Sequence, residues 1–270
     1  MKFMDKFRMI VEKNNSLVSV GLDIDKQRMP IFLFEEEKDP FFVFNKSIID
    51  ATKDSVCAYK INMAFYELYG TKGFDILERT IDYIPEEVLV IIDGKRNDIG
   101  NTAKMYAKGL FENLKADAVT INPYLGFDGV KPFLDYTNKY SFVLCRTSNK
   151  SAGDLQNIKS GNVPLYENVA KKIKGWNSNG NCGAVVGATY PEELRKIRTI
   201  LGEDITLLIP GIGQQGGNIE KTVKYGTNKE KMMAIINSSR GIIFAGEDRD
   251  FADKARNTTI LLKKSINRYR

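Results

Sequence analysis

The segment IIDGKRNDIGNT, residues 91 to 102, ends an apolar run in four charges: Asp93, Lys95, Arg96 and Asp98. Asp93 and Lys95 are two residues apart, so in an extended chain they point to the same side. A carboxylate and an ammonium held together each favour the ionised form of the other. Charges concentrated at a strand end are better explained by a reaction than by folding. Gly94 between them allows close approach of a ligand or another backbone. A plain ion pair at the rim of a sheet is the structural alternative, but buried pairs are poor stabilisers. Asp98 and Thr102 are four apart at the start of the next helix and share a face of it. Asp98 there is also an ordinary first-turn carboxylate favoured by the helix dipole.

Other polar residues stand at the ends of apolar runs. Asp23 follows LVSVGL, and Lys60 stands near the end of VCAYKI and can extend the pair into an alternating array of charge. PGIGQQGGN (210 to 218) and NSSRG (237 to 241) combine glycines, whose backbone N–H groups can face an anion, with Arg240, which offers a bidentate fork. Together they point to phosphate. RTSNKSAGDLQNIKSGNVP (146 to 164) is a long polar stretch of the kind that serves as a solvated loop or a lid, with Ser148 placed to bond a ligand.

The chain has no histidine, so Ser-His and Cys-His nucleophile pairs and Cys/His zinc clusters are excluded. Carboxylates, lysines and arginines must do the work. Three separated cysteines in apolar contexts give no disulfide framework. The net charge of +6 is dispersed, without a basic run or aromatic interleaving, which argues against nucleic acid and for a small anionic substrate. There is no apolar run of membrane-spanning length, and the charged first residues do not form an export signal, so a cytoplasmic protein is expected.

The elements that must position these residues are eight β-branched apolar runs: 17–22, 56–61, 88–93, 118–121, 142–145, 184–188, 205–209 and 234–237. They are continuous rather than alternating, as in strands buried on both faces, and the gaps leave room for a helix in each crossover. Helical periodicity in 99–114, 191–201 and 250–266 supplies such helices, and Phe3, Phe7, Ile10 and Val11 predict an N-terminal one. No linker divides the chain. The reading is α/β: one (β/α)8 TIM barrel domain over residues 1–270, with an open doubly wound sheet as the alternative. In a barrel, functional residues gather past the C-terminal ends of the strands, where Asp23, Lys60, Asp93, Lys95, Arg146, Ser148, Pro210 and Arg240 all fall.

DGKRNDIGNT resembles the Asp-x-Lys-Arg-x-Asp-Ile-x-x-Thr signature of the orotidine 5′-phosphate decarboxylases. VGLD (20–23), YKINMAFYE (59–67), RTSN (146–149), PGIGQQGG (210–217) and NSSR (237–240) follow the family's order, in the manner of its longer-chain bacterial and archaeal subgroup. The resemblance implies decarboxylation of orotidine 5′-monophosphate to UMP in pyrimidine biosynthesis, without a cofactor. Lys95 would protonate C6, Asp93 would face the substrate carboxylate, and Lys60 and Asp98 would complete a Lys-Asp-Lys-Asp array. It implies a homodimer with shared sites, in which Asp98 and Thr102 reach into the partner's. Asp23 and Lys60 would hold the ribose, Ser148 the base, and Gln215 and Arg240 the phosphate, with Pro210 lining the pocket. Asn97 departs from the Gly of many members, and residues 149–163 carry no assigned role. The rivals are a metal-dependent sugar-phosphate decarboxylase or hexulose-phosphate synthase, a Schiff-base aldolase using Lys95 or Lys60, and an RNA-binding barrel.

Overall fold

A computed structural model describes residues 1–212 and 217–270. Eight parallel strands close into a barrel: β1 (Val18–Gly21), β2 (Ala58–Asn62), β3 (Leu89–Arg96), β4 (Ala118–Ile121), β5 (Tyr140–Arg146), β6 (Cys182–Val186), β7 (Leu207–Pro210) and β8 (Ala234–Ser238), each paired with its sequence neighbours and β8 with β1. Every run expected to be a strand contributes one. Continuous apolar stretches suit this arrangement because the barrel interior and the outer helices bury both faces.

Helix α1 (Phe3–Asn14) precedes the barrel and α2 to α9 follow the successive strands: Pro40–Thr52, Gly70–Tyr83, Gly100–Lys108, Phe127–Leu134, Leu165–Trp176, Pro191–Leu201, Ile219–Gly226 and Phe251–Asn267. Amphipathic spacing buries Phe3, Phe7, Ile10 and Val11 of α1. The Phe3 ring stacks on Tyr140 with centroids 4.5 Å apart, so α1 packs at the N-terminal ends of the strands. Lys6 pairs with Asp117 at 2.6 Å, and the same carboxylate oxygen accepts the Val90 backbone N–H at 2.9 Å.

The N-terminal ends are also fastened by Arg198 of α7, which is 8% exposed. Its guanidinium donates to the carbonyls of Gly202, Ile205, Gly226 and Met233. This charge at the bottom of the barrel serves the fold, in contrast to those at the top. The three cysteines are buried free thiols. Among the described residues no helix is long and apolar enough to cross a membrane.

The stretch from 149 to 163, without a role on sequence grounds, forms local structure of its own. It makes a helical turn (Gly153–Gln156) and one strand of a two-stranded antiparallel hairpin, Lys159–Ser160 against Val163–Pro164.

Candidate active site

The strand ends surround a cavity of about 400 Å³ lined by Asp23, Lys60, Asp93, Lys95, Ser148, Pro210 and Arg240, among others. Seven of the expected residues therefore meet in one place. The size lies within the range of small-molecule sites.

Asp93 is the centre. One carboxylate oxygen, Oδ2, accepts from Lys60 Nζ at 2.9 Å, and the other, Oδ1, accepts from Lys95 Nζ at 2.7 Å. Asp23 stands 3.9 Å from Lys60 Nζ on the far side. The result is a chain of alternating charge, Asp23, Lys60, Asp93, Lys95, running from the end of β1 to the end of β3. Burial alone would raise the Asp93 pKa, but the charges of Lys60 and Lys95 outweigh it and hold the carboxyl well below its ordinary value. Burial alone would lower that of Lys60, and the charges of Asp23 and Asp93 overcome it, so the ammonium sits above its ordinary value.

Extended geometry predicts that Asp93 and Lys95 share a side, and they do make contact, but by another route. The pairing of β3 with β4 jumps from Ile92 opposite Val119 to Arg96 opposite Ile121. Two extra residues of β3 are accommodated in a bulge, and Lys95 takes a left-handed φ of 47°. A non-glycine residue there is strained by about 1–3 kcal/mol, which persists only where the surroundings enforce it. Bulges re-aim side chains beside active sites. Here the bulge turns the lysine back onto Asp93.

Gly211, after β7, and Ser239, Arg240 and Gly241, after β8, also line the cavity. β7 lies four strands from β3 in the closed barrel, so Gly211 faces Asp93 and Lys95 across the mouth, whereas β8 pairs with β1 and sets the arginine loop beside the Asp23 end of the array. Gln215 lies in 213–216, outside the described residues. Ser148 sits where only glycine could oppose it: a Cβ on Gly187 would lie 2.8 Å from Ser148 Cβ. The chain there is held from behind by Gln156, whose side-chain oxygen accepts from Arg146 at 3.1 Å and from the Thr147 N–H at 3.0 Å. Its amide donates to Thr147 Oγ1 at 2.7 Å.

Two expectations are corrected, the place of Arg146 and the helical face of Asp98 and Thr102, and two residues, Arg96 and Thr120, are newly placed. Arg146 does not line the cavity; it is 2% exposed, pairs with Glu193 and lies over the Tyr190 ring at 4.1 Å. Arg96, unplaced from sequence, pairs with Glu67 and lies 5.6 Å from the Tyr106 ring centre. Asp98 and Thr102 are not among the lining residues of this chain's cavity. They do not share a helical face either: α4 starts at Gly100, and Asp98 in the preceding loop accepts the Ile99 N–H at 2.8 Å. Thr120 of β4, which sequence reading passed over, lines the cavity and bonds Asp93 directly. Its only signal was a hydroxyl in the otherwise apolar AVTI.

The closed barrel with charged residues and an anion-suited loop at its C-terminal mouth defines a TIM-barrel enzyme site. Residues 16–255 match the model of the orotidine 5′-phosphate decarboxylase / HUMPS family, and the chain belongs to that family. Over 274 aligned residues it is 44% identical to an orotidine 5′-phosphate decarboxylase of Dehalococcoides mccartyi, covering 100% of this chain and 99% of that one. It is 45% identical to one of Ralstonia pickettii, each covered in full (100%). Among solved structures, Leishmania donovani OMP decarboxylase superposes with a TM-score of 0.87 at 35% identity, over 100% of this chain and 98% of the other.

Proposed function

We propose that this protein decarboxylates orotidine 5′-monophosphate to UMP and carbon dioxide, a step of de novo pyrimidine synthesis in the cytoplasm, as one barrel domain acting without a cofactor. The observation that carries the reading is the Asp23–Lys60–Asp93–Lys95 array at the barrel mouth of a chain in this family. Both oxygens of Asp93 are engaged by lysine ammonium groups. This favours charge stabilisation by the protein over the metal-dependent sugar-phosphate chemistry of related barrels.

In the proposed step the bond from C6 to the carboxylate breaks, carbon dioxide leaves, and the electron pair stays on C6. The Lys95 ammonium stabilises that carbanion and gives it a proton, forming the C6–H bond. The neutral amine then regains a proton from solvent. Asp93 stands against the departing carboxylate, and a fixed ammonium in a site shaped by the protein is the kind of stabilisation that costs no reorganisation during reaction. Asp23 and Lys60 would hold the ribose, Ser148 the base beside Pro210, and Arg240 with Gln215 the phosphate. Contacts to that remote phosphate supply binding energy that orders the reacting end.

Asp98 and Thr102 fit a role in the partner's site of a homodimer. They lie outside this chain's cavity lining, and their neighbours Ile99, Met105 and Tyr106 leave apolar surface exposed. The test is to mix the protein with orotidine 5′-monophosphate and follow the loss of its ultraviolet absorbance. Turnover by wild type and none by a folded Lys95→Ala variant is the expected result. No turnover by folded wild-type protein overturns the proposal.

A further inference from the structure

Thr120 stands on β4 beside the bulge and is 1% exposed. Its hydroxyl is used twice: Oγ1 donates to Asp93 Oδ1 at 2.7 Å and accepts the Lys95 backbone N–H at 3.0 Å. We propose that Thr120 is a positioning residue for the decarboxylation: it keeps Asp93 Oδ1 bonded when the Lys95 ammonium leaves to protonate the substrate, and it pins the Lys95 backbone in its left-handed conformation. This inference rests on the function proposed above.

At rest Asp93 Oδ1 has two donors, Lys95 Nζ and Thr120 Oγ1, and Oδ2 has Lys60. The Lys95 side chain is 46% exposed at the cavity, free enough to turn, whereas those of Lys60 and Asp93 are 6% and 10% exposed. When Lys95 swings to C6 and loses its proton, Asp93 loses one of its cations. Without Thr120 its Oδ1 would then be a buried carboxylate oxygen lacking any donor, the costly state for a charged acceptor. That penalty falls on the reacting state and not on the resting enzyme, so it belongs in kcat.

The second contact follows from the bulge. The ladder to β4 resumes only at Arg96, so the Lys95 N–H has no strand carbonyl opposite it. A backbone donor that is partly buried and has lost its strand partner is stabilised by another acceptor. The threonine hydroxyl provides one, and the same atom therefore fixes both members of the pair. Valine matches the shape of threonine but can do neither; serine can do both.

The test compares wild type, Thr120→Val and Thr120→Ser in turnover of orotidine 5′-monophosphate, with thermal unfolding measured alongside. The expected result is a fall in kcat of about 10- to 100-fold for Thr120→Val with KM changed less than about 3-fold, and recovery to within about 3-fold of wild type in Thr120→Ser. Should Thr120→Val not fold, Thr120→Ala assayed below its unfolding temperature carries the same expectation. Wild-type kcat in the Val or Ala variant, a loss confined to KM, or a Ser variant as impaired as Val overturns the role of Thr120 alone. A folded wild-type protein that does not turn the nucleotide over overturns the proposed function together with it.

Discussion

Lys60 Nζ lies 2.9 Å from Asp93 Oδ2, with the two side chains 6% and 10% exposed, and this contact sets the charge state of the site. Asp93 is held below its ordinary pKa, so its share of stability is complete above the unfolded value of 3.8 and is lost as pH falls towards the folded one. Lys60 is held above 10.5, so its share is complete below that pH and is lost as pH rises through the folded value. Neither group titrates near neutrality. In wild type, Asp93 therefore adds no acid limb to kcat/KM between about pH 5 and 8. In Lys60→Met the burial of Asp93 is less opposed, its pKa rises, and an acid limb moves up towards that window. A pH profile of the two proteins checks this; an unmoved limb contradicts the coupling.

If Asp98 serves the partner's site, inactive Lys95→Ala and Asp98→Asn proteins should complement each other. A mixed dimer has one site with both substitutions and one with neither. Subunit exchange between equal amounts should restore roughly a quarter of wild-type activity. Activity no higher than the sum of the separate variants shows that Asp98 acts within its own chain.

Arg240 lines the cavity on the loop after β8, beside the Asp23 end of the charged array and three strands round the barrel from Lys95, and is assigned to phosphate. Arg240→Ala should raise KM about 10- to 100-fold, the scale of a lost charge-assisted hydrogen-bond pair, with a smaller effect on kcat. Steady-state kinetics separate the two. A loss mainly in kcat would place Arg240 at the reacting end instead.

Arg198 bonds four carbonyls at the other end of the barrel. Arg198→Met should lower stability by about 3 kcal/mol, because buried carbonyls are left without donors, while kcat at a temperature below unfolding stays near wild type. Urea unfolding and a kcat measurement suffice.

Gln156 ties the segment after β5 to Arg146 and Thr147. Gln156→Ala should loosen the chain that carries Ser148 and raise KM several-fold, with the melting temperature nearly unchanged. An unaltered KM would leave the segment as a surface ornament.

The barrel was legible because each strand is a continuous apolar run, and several of the runs end in or beside a polar residue that lines the mouth, as at Asp23, Lys60 and Asp93. The pair of Asp93 and Lys95 was legible from the same pattern. Its construction was not. A left-handed lysine has no sequence signal, since the residue that tolerates that φ best is glycine and the glycine stands one position earlier. Thr120 escaped because a β-branched residue in a strand is unremarkable from sequence alone. Arg146 was misplaced because side chains alternate, and a charge at a strand end faces the helices as readily as the mouth. The hairpin after β5 has strands of two residues each, too short for any period to show.

The bulge in β3 also bears on protein engineering. A barrel redrawn with ideal strands would align β3 with β4 without the two extra residues, and it would fold at least as well, because strained backbone is what idealisation removes. It would also leave the lysine aimed elsewhere. Copying the eight strands and their charged ends is thus insufficient to transplant this chemistry; the irregularity between Ile92 and Arg96 has to be carried over with them.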